Sequence, residues 1–215
     1  MKQDLYIIGA GSVGCHLAWN LEAYTSQYRL AGFLDDDPAK HGSLIANTPV
    51  LGPVEQILEL RDVAVALGIA FPSPKRKILE RLRENPSLTF PSFISPRTWM
   101  SNHVTTGQGV LVYPGASINY GSHLGDFVVI NMNCAIGHDC RIGALTSLAP
   151  GVNLAGHTRI GEAVEMGIGS ATRQNVRIGD RSIIGGNAMV LSDLPHDVLA
   201  CGLPAVITRN LPNHS

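Results

Sequence analysis

The side chains of this chain that could do chemistry are concentrated near its middle, in the stretch NCAIGHDCRIG (133–143). Cys134, His138, Asp139 and Cys140 fall within seven residues. The spacing C-x3-H-x-C does not match the ligand spacing of zinc sites, so we predict no metal site. Adjacent histidine and aspartate suit proton transfer near neutral pH, because the carboxylate fixes the imidazole tautomer and favours its protonated form. A solvated turn that holds both residues is the alternative.

Aliphatic residues recur every six positions through the second half of the chain. From Val112 to Val190, thirteen of the fourteen positions are apolar, with Thr172 the exception. A small or β-branched residue stands two places before each, and Gly, Asn or Ala often follows, where we expect backbone angles that other residues resist. This hexapeptide period predicts a parallel β-helix with three hexads per coil, so that residues three hexads apart share a column.

The repeat separates packing residues from candidate functional residues. Cys134 and Cys140 occupy the small-residue slot, which predicts that both thiols pack inward. His138 and Asp139 lie at a corner where the repeat imposes no residue type, so we expect them to face outward. Gly156 stands one coil of three hexads after His138, which predicts room for a thioester above the imidazole and a backbone N–H for an oxyanion.

The first half follows a different rule, in which apolar runs alternate with helical stretches. This order predicts an α/β unit with a small parallel sheet and helices on both faces. The predicted strands are 5–9, 29–35 and 63–67, and the predicted helices are 15–24, 53–60 and 74–86.

The motif GAGSVG (9–14) opens the first predicted helix, and Asp35 stands at the end of the next predicted strand. A glycine-rich turn between strand and helix, followed by an acidic residue at about this distance, is the fingerprint of dinucleotide binding and suggests NAD. Only about 90 residues precede the repeat, which is short for the two halves that usually hold a dinucleotide. Backbone amides at the start of such a helix would equally receive the phosphates of another nucleotide.

These motifs, together with FLDDD (33–37) and GLPA (202–205), resemble those of the left-handed β-helix acyltransferases. More narrowly, the chain is similar to bacterial sugar acetyltransferases related to sialic acid O-acetyltransferase and to N-acetyltransferases of nucleotide-linked 4-amino sugars. The resemblance covers nearly the whole chain. It implies a Rossmann-like βαβαβ domain over residues 1–92 and a left-handed parallel β-helix over residues 93–215.

The resemblance also assigns roles to individual residues. His138 matches the general base of the family, and Asp139 matches the acidic residue that makes this histidine more basic. Acetyl-CoA contacts are implied for Ser147, Gly156, Ile168 and Gly186, and the terminal loop with Gly202 and Pro204 is expected to cover the coenzyme. The residues implied on the nucleotide-sugar side are Gly11, Ser12, Val13, Asp35, Asp36, Gly68 and Asn131.

We therefore expect an acetyl-CoA-dependent N-acetyltransferase that acts on a UDP- or GDP-linked 4-amino sugar. O-acetylation of a sialic-acid-type sugar and a non-catalytic, NAD- or nucleotide-binding scaffold are the alternatives. The net charge of −1 shows no basic surplus for nucleic acid, and no apolar run is long enough to cross a membrane, so we expect a cytoplasmic protein with reduced thiols.

We also expect a homotrimer. A single β-helix would expose outward apolar residues such as Val129, Leu145 and Ile183, and exposed apolar surface usually marks an interface. The family resemblance implies the same assembly, with active sites at the subunit boundaries.

Overall fold

A computed structural model of the chain describes residues 2–212. The chain divides into two compact units, with the boundary between Phe93 and Ile94. Within the described residues, no helix has the length and apolar character needed to span a membrane.

The first unit is an α/β unit around one mostly parallel sheet. Its elements are β1 (Gln3–Ile8), α1 (Ser12–Tyr24), β2 (Tyr28–Leu34), β3 (Leu44–Ile45), β4 (Thr48–Gly52), β5 (Ala64–Leu67) and α2 (Pro72–Leu82). The strand order is β3-β4-β2-β1-β5, and only β3 runs antiparallel to its neighbour. Leu5, Ile7 and Val65 are fully buried, as expected for the apolar strands of a parallel sheet.

The segment between β2 and β5 differs from the prediction of a single helix over 53–60. The structure has the hairpin β3–β4, followed by a short 3-10 helix at Val54–Glu59. Strand β4 was missed because it contains Pro49 and Gly52, residue types that are depleted in strands. The helix predicted over 74–86 begins earlier, at Pro72, and ends at Leu82.

The second unit is built from two-residue strands that recur every six residues. After β6 (Phe93–Ile94), which spans the unit boundary, they are β7 (Trp99–Met100), β8 (Thr105–Thr106), β9 (Leu111–Val112), β10 (Ser117–Ile118), β11 (His123–Leu124), β12 (Val129–Ile130), β13 (Ala135–Ile136), β14 (Arg141–Ile142), β15 (Ser147–Leu148), β16 (Asn153–Leu154), β17 (Arg159–Ile160), β18 (Glu165–Met166), β19 (Ala171–Thr172), β20 (Arg177–Ile178), β21 (Ile183–Ile184) and β22 (Met189–Val190). The longer strands β23 (Val198–Cys201) and β24 (Val206–Asn210) close the unit.

These strands form three sheets, which are the faces of a three-sided parallel β-helix. Face 1 contains β7, β10, β13, β16, β19 and β22, and face 2 contains β8, β11, β14, β17 and β20. Face 3 contains β6, β9, β12, β15, β18, β21, β23 and β24. We call the turns from face 1 to face 2 corner 1/2, those from face 2 to face 3 corner 2/3, and those from face 3 to face 1 corner 3/1. Strand partners lie one full coil apart in the sequence, as Ile118 and Ile136 illustrate, so the predicted columns are confirmed.

The aliphatic and small residues of the repeat form the core of this unit. Ile118, Leu124 and Ile130 are fully buried, as are the small residues Val128 and Cys140 in the slot two places earlier. The polar exception, Thr172, is also buried, because its hydroxyl is 2.8 Å from the Thr158 hydroxyl and accepts from Ala155 N–H.

Left-handed backbone angles do not occur where the sequence predicts them. They fall on the third residue after each repeat position from Val112 to Ile184, including Asn133 (φ 58°), Asp139 (φ 57°) and His157 (φ 61°). The residue directly after the aliphatic position is small for a different reason, namely the close approach of successive coils. A Cβ on Gly137 would lie 2.6 Å from the Gly156 nitrogen and 2.8 Å from the Leu154 oxygen.

The expectation that Val129 and Leu145 are exposed is wrong. Val129 is 4% exposed and Leu145 is 7% exposed, while Ile183 is half-buried. Leu145 shares a column of corner 2/3 with Phe127 and Ala163, which are also buried, so neighbours in adjacent coils cover one another. The large exposed apolar side chains of this unit are others, among them Trp99, Ile168 and Leu203.

Candidate functional site

His138 and Asp139 lie together in the corner 1/2 turn between β13 and β14, and both are partly exposed. Nδ1 of His138 is 2.9 Å from Oδ2 of Asp139. This hydrogen bond is the main cause that lowers the pKa of Asp139. An ionised carboxylate only accepts, so Nδ1–H donates and the lone pair of Nε2 is left available as a base.

The turn does constrain the residue type at Asp139, contrary to expectation. Asp139 adopts a left-handed conformation, which aspartate tolerates better than most residues. Its carboxylate lies over Gly121, one coil earlier, where an added Cβ would come within 2.3 Å of Oδ1. The glycine of the preceding coil therefore makes space for the aspartate.

Gly156 makes space for His138 in the same way. A Cβ on Gly156 would lie 2.7 Å from Nε2 and 3.0 Å from Cε1 of His138, and Gly156 itself is buried. The space that the sequence predicts for a thioester is therefore occupied by the imidazole itself. Within residues 2–212 we find no acceptor for the Gly156 N–H, so that donor is not used by the fold.

Two aromatic side chains that sequence reasoning missed also contact the imidazole. The Tyr120 ring stacks on His138, with centroids 5.3 Å apart and an interplanar angle of 17°. The His157 ring meets His138 edge-on, with centroids 4.8 Å apart, and His157 N–H donates to the His138 carbonyl. The signal was present in the column rule, because Tyr120 stands one coil before His138, and His157 stands one coil after Asp139.

The same cluster offers ligand atoms for a cation. One atom each from His138, Asp139 and His157 lies within 4.8 Å of the others. Cys134 and Cys140 are buried, which confirms the prediction that they pack inward. Burial raises the pKa of Cys134 to about 11, so its thiol is protonated at neutral pH and is a poor ligand.

Of the residues implied in coenzyme contact, Gly156 lies against His138 and the others lie apart from it. Ile168 and Gly186 are exposed neighbours in one column of corner 3/1, where Asn187 N–H donates to the Ile168 carbonyl. Ser147 lies on face 3 in β15, partly exposed. Gly202 and Pro204 are exposed in the turn between β23 and β24, where Met189 N–H donates to the Gly202 carbonyl.

Asn131 is the first residue after β12, in corner 3/1, and is partly exposed. Its side-chain oxygen accepts from the N–H of Met132, and its own N–H donates to the Leu148 carbonyl. Asn131 is therefore outside the corner that holds His138.

The first unit contains a cavity of about 490 Å³ at the carboxyl ends of β1, β2 and β5. Six of the predicted nucleotide residues line it, namely Gly11, Ser12, Val13, Asp35, Asp36 and Gly68. The structure adds Lys40, Phe71, Lys77 and Arg81 to the lining. Sequence reasoning missed these residues because they come from the loop after β2, from the residue before α2 and from α2 itself, which the motif does not include.

The glycines of the cavity are needed for two different reasons. A Cβ on Gly14 would lie 2.1 Å from the Gly9 oxygen, and one on Gly68 would lie 2.5 Å from the same atom, so the two glycines allow α1 to approach the sheet. A Cβ on Gly11 would meet nothing within 4 Å. The start of α1 at Ser12 therefore borders open space.

The carboxylates of Asp35 and Asp36 are engaged in internal contacts. Asp35 accepts from Ala10 N–H at 2.7 Å and from the Lys40 ammonium at 2.9 Å, and its side chain is only 12% exposed. Burial opposes its ionisation, but these hydrogen bonds outweigh burial and lower the pKa of Asp35. Asp36 accepts from Arg81 at 2.5 Å, which lowers its pKa, and Arg81 also pairs with Glu55.

Comparison with solved structures finds relatives over nearly the full length. PerB from Caulobacter crescentus, solved with CoA and GDP-perosamine, is 31% identical, with a TM-score of 0.85 over 96% of this chain and 97% of that one. The acetyltransferase domain of PglB from Neisseria gonorrhoeae, solved with acetyl coenzyme A, is 28% identical, with a TM-score of 0.86 over 96% of this chain and all of that one.

Curated relatives match a shorter segment, and no family model matches the chain. An acyl-[acyl-carrier-protein]–UDP-N-acetylglucosamine O-acyltransferase from Burkholderia thailandensis is 40% identical over 79 residues, which is 37% of this chain and 30% of that protein. The matched segment thus spans about a third of that relative. The full-length similarity to PerB, together with the coiled repeat and the His138–Asp139 corner, shows that the chain belongs to the left-handed β-helix sugar acetyltransferases.

Proposed function

We propose that the protein is an acetyl-CoA-dependent N-acetyltransferase that acts on a nucleotide-linked 4-amino sugar. The observation that carries the proposal is the 2.9 Å hydrogen bond from Nδ1 of His138 to Asp139, which leaves Nε2 free to accept a proton. Two relatives of similar fold support the choice of substrates, because one was solved with acetyl coenzyme A and the other with CoA and GDP-perosamine.

In the proposed reaction, the sugar amine attacks the carbonyl carbon of the thioester. A C–N bond forms, the amine proton passes to Nε2 of His138, and the C–S bond then breaks to release coenzyme A, which takes up the proton as its thiol. Asp139 holds the imidazole tautomer and stabilises the imidazolium that forms. The unused N–H of Gly156 is the proposed donor to the oxyanion of the tetrahedral intermediate.

The cavity of the first unit is the proposed nucleotide site. Gly11, Ser12 and Val13 present backbone amides at the start of α1, and helix N-termini favour phosphate. The positively charged Lys77 also lines the same cavity. The carboxylate of Asp35 accepts a hydrogen bond from Ala10 N–H and so holds the glycine-rich loop in place. We therefore assign Asp35 a role in shaping this Rossmann-like site.

We further propose a homotrimeric, cytoplasmic enzyme with the coenzyme between neighbouring subunits. Ser147, Ile168 and Gly186 lie on face 3 and at corner 3/1, whereas His138 lies at corner 1/2, so face 1 separates the two sets within one chain. A coenzyme that contacts both sets is accommodated if corner 3/1 of one chain meets corner 1/2 of the next. Gly202 and Pro204 would then cover the coenzyme, and Asn131 would lie on the substrate side.

A thiol-release assay with acetyl-CoA and a panel of UDP- and GDP-linked 4-amino sugars tests the function. We expect thiol release that requires the amino sugar and is lost in His138→Ala, with an amide in the product by mass spectrometry. Transfer only to sugars that offer hydroxyl groups would replace the proposal with O-acetylation. Nucleotide binding without thiol release on any acceptor would favour the non-catalytic scaffold.

A further inference from the structure

Three arginines form a ladder on face 2, directly after the His138 corner. Arg141, Arg159 and Arg177 hold the first position of β14, β17 and β20, and they pair in parallel register. Adjacent strands are about 4.8 Å apart, so the Cα atoms of the first and third arginines are separated by about 10 Å along the helix axis. All three residues are exposed.

The ladder is electrostatically unfavourable in the unliganded chain. Arg141 donates to the Gly121 carbonyl at 3.2 Å. Among residues 2–212, we find no ion pair or hydrogen-bond acceptor for the guanidinium groups of Arg159 and Arg177. Like charges in directly paired strand positions repel each other, and an anion bound between them would relieve this repulsion.

Arg159 and Arg177 border a cavity of about 450 Å³, and its two carboxylates have other partners. Asp180 accepts from the Glu162 N–H at 2.8 Å and lies 3.4 Å from Nδ1 of His196. Asp193 accepts from the backbone N–H of Arg177 at 2.8 Å. The guanidinium groups are therefore available to an external anion.

We propose that Arg159 and Arg177 bind the phosphate groups of coenzyme A, an inference that rests on the proposed function. Coenzyme A carries its thioester at one end of an extended arm and its phosphates at the other. The ladder begins at Arg141, in the coil of His138, and continues through the next two coils. A coenzyme that has its thioester at Nε2 and extends along the helix axis would therefore bring its phosphates to Arg159 and Arg177. Guanidinium groups suit this task because they bind phosphate oxygens through two parallel hydrogen bonds.

The phosphates of the nucleotide sugar are the other source of the same chemistry. They are less suited to the ladder, because the cavity of the first unit already offers the amides at the start of α1 and the Lys77 ammonium. The proposal therefore assigns one phosphate site to each substrate, the ladder to coenzyme A and the cavity to the nucleotide.

Calorimetric titration of the full-length protein tests the assignment. Coenzyme A and uridine diphosphate are titrated separately into the wild type, Arg159→Gln, Arg177→Gln and the control Arg97→Gln, which removes the same charge from an exposed residue in the first coil. We expect the coenzyme A dissociation constant to rise about tenfold in each ladder variant. This factor corresponds to the lower end of the energies found for hydrogen bonds to charged groups. Uridine diphosphate binding and the control should be unchanged.

The melting temperature separates a binding role from a structural one. If the arginines only bind an anion, removing one of several like charges should leave the melting temperature unchanged or raise it. If they hold the fold together, removing one should lower the melting temperature. Unchanged coenzyme A affinity, or a loss confined to uridine diphosphate, would overturn the proposal. If no amino sugar is acetylated but coenzyme A binding still depends on Arg159 and Arg177, the ladder assignment stands and the proposed function fails.

Discussion

Gly156→Ala is the most direct test of how the active corner is built. The added Cβ would lie 2.7 Å from Nε2 of His138, whereas ordinary Cβ contacts begin near 3.4 Å, so the ring must move by about 0.7 Å at its basic nitrogen. A misplacement on the order of 1 Å costs a catalytic group about 10²-fold in rate. We therefore expect kcat/KM for acetyl-CoA to fall by about 10- to 100-fold.

Stability should not fall with activity in this variant. Gly156 is not in the left-handed region, and the contacted atoms are the end of a partly exposed side chain rather than backbone. Replacing glycine by alanine at a compatible position stabilises by about 0.4–1 kcal/mol through the unfolded state. We expect an unchanged or slightly higher melting temperature and unchanged affinity for the nucleotide sugar.

Gly137→Ala is the matched comparison for stability, since its Cβ would meet the backbone of the next coil at Gly156 N and Leu154 O rather than a side chain. It should lower the melting temperature, because the backbone cannot move aside as a ring can. Thiol release with acetyl-CoA, measured beside thermal unfolding, distinguishes the two variants. Full activity in Gly156→Ala would refute the argument that this glycine exists to seat the imidazole.

Four other outcomes are expected. His138→Ala should reduce turnover by at least about 10²-fold with little change in melting temperature, and near-normal turnover would exclude it as the base. Asp35→Asn should destabilise the protein by about 1–3 kcal/mol at pH 7; since folding lowers the Asp35 pKa, this difference should be present above about pH 4 and shrink in urea unfolding as the pH falls further. Dialysis against EDTA should not change turnover, because Nε2 acts as a base and needs no metal ion. Activity that was lost on dialysis and returned only with added Zn²⁺ would show that His138, Asp139 and His157 hold a required ion. Light scattering of the active enzyme should give the mass of three chains, and the mass of one chain would contradict the shared site.

The repeat could be predicted from the sequence because its cause is local. One inward aliphatic residue and one small residue per hexad are enough to specify a coil, and the uninterrupted count of six specifies which residues share a column. The strand β4 could not be predicted in the same way, because its Pro49 and Gly52 weaken the local signal and its pairing with β2 is a non-local contact.

For the site, the sequence by itself determined that His138, Asp139 and Gly156 meet, since the hexapeptide period and the column of three hexads are enough to place them. Only the tertiary structure decided that the imidazole fills the space over Gly156, that Tyr120 stacks on it, and that Asp35 is committed to Ala10 and Lys40. Side-chain direction and hydrogen-bond partners depend on atoms brought together from distant parts of the chain. A period in the sequence assigns a residue to a column, but the packing of the neighbouring coils determines how its side chain uses the space.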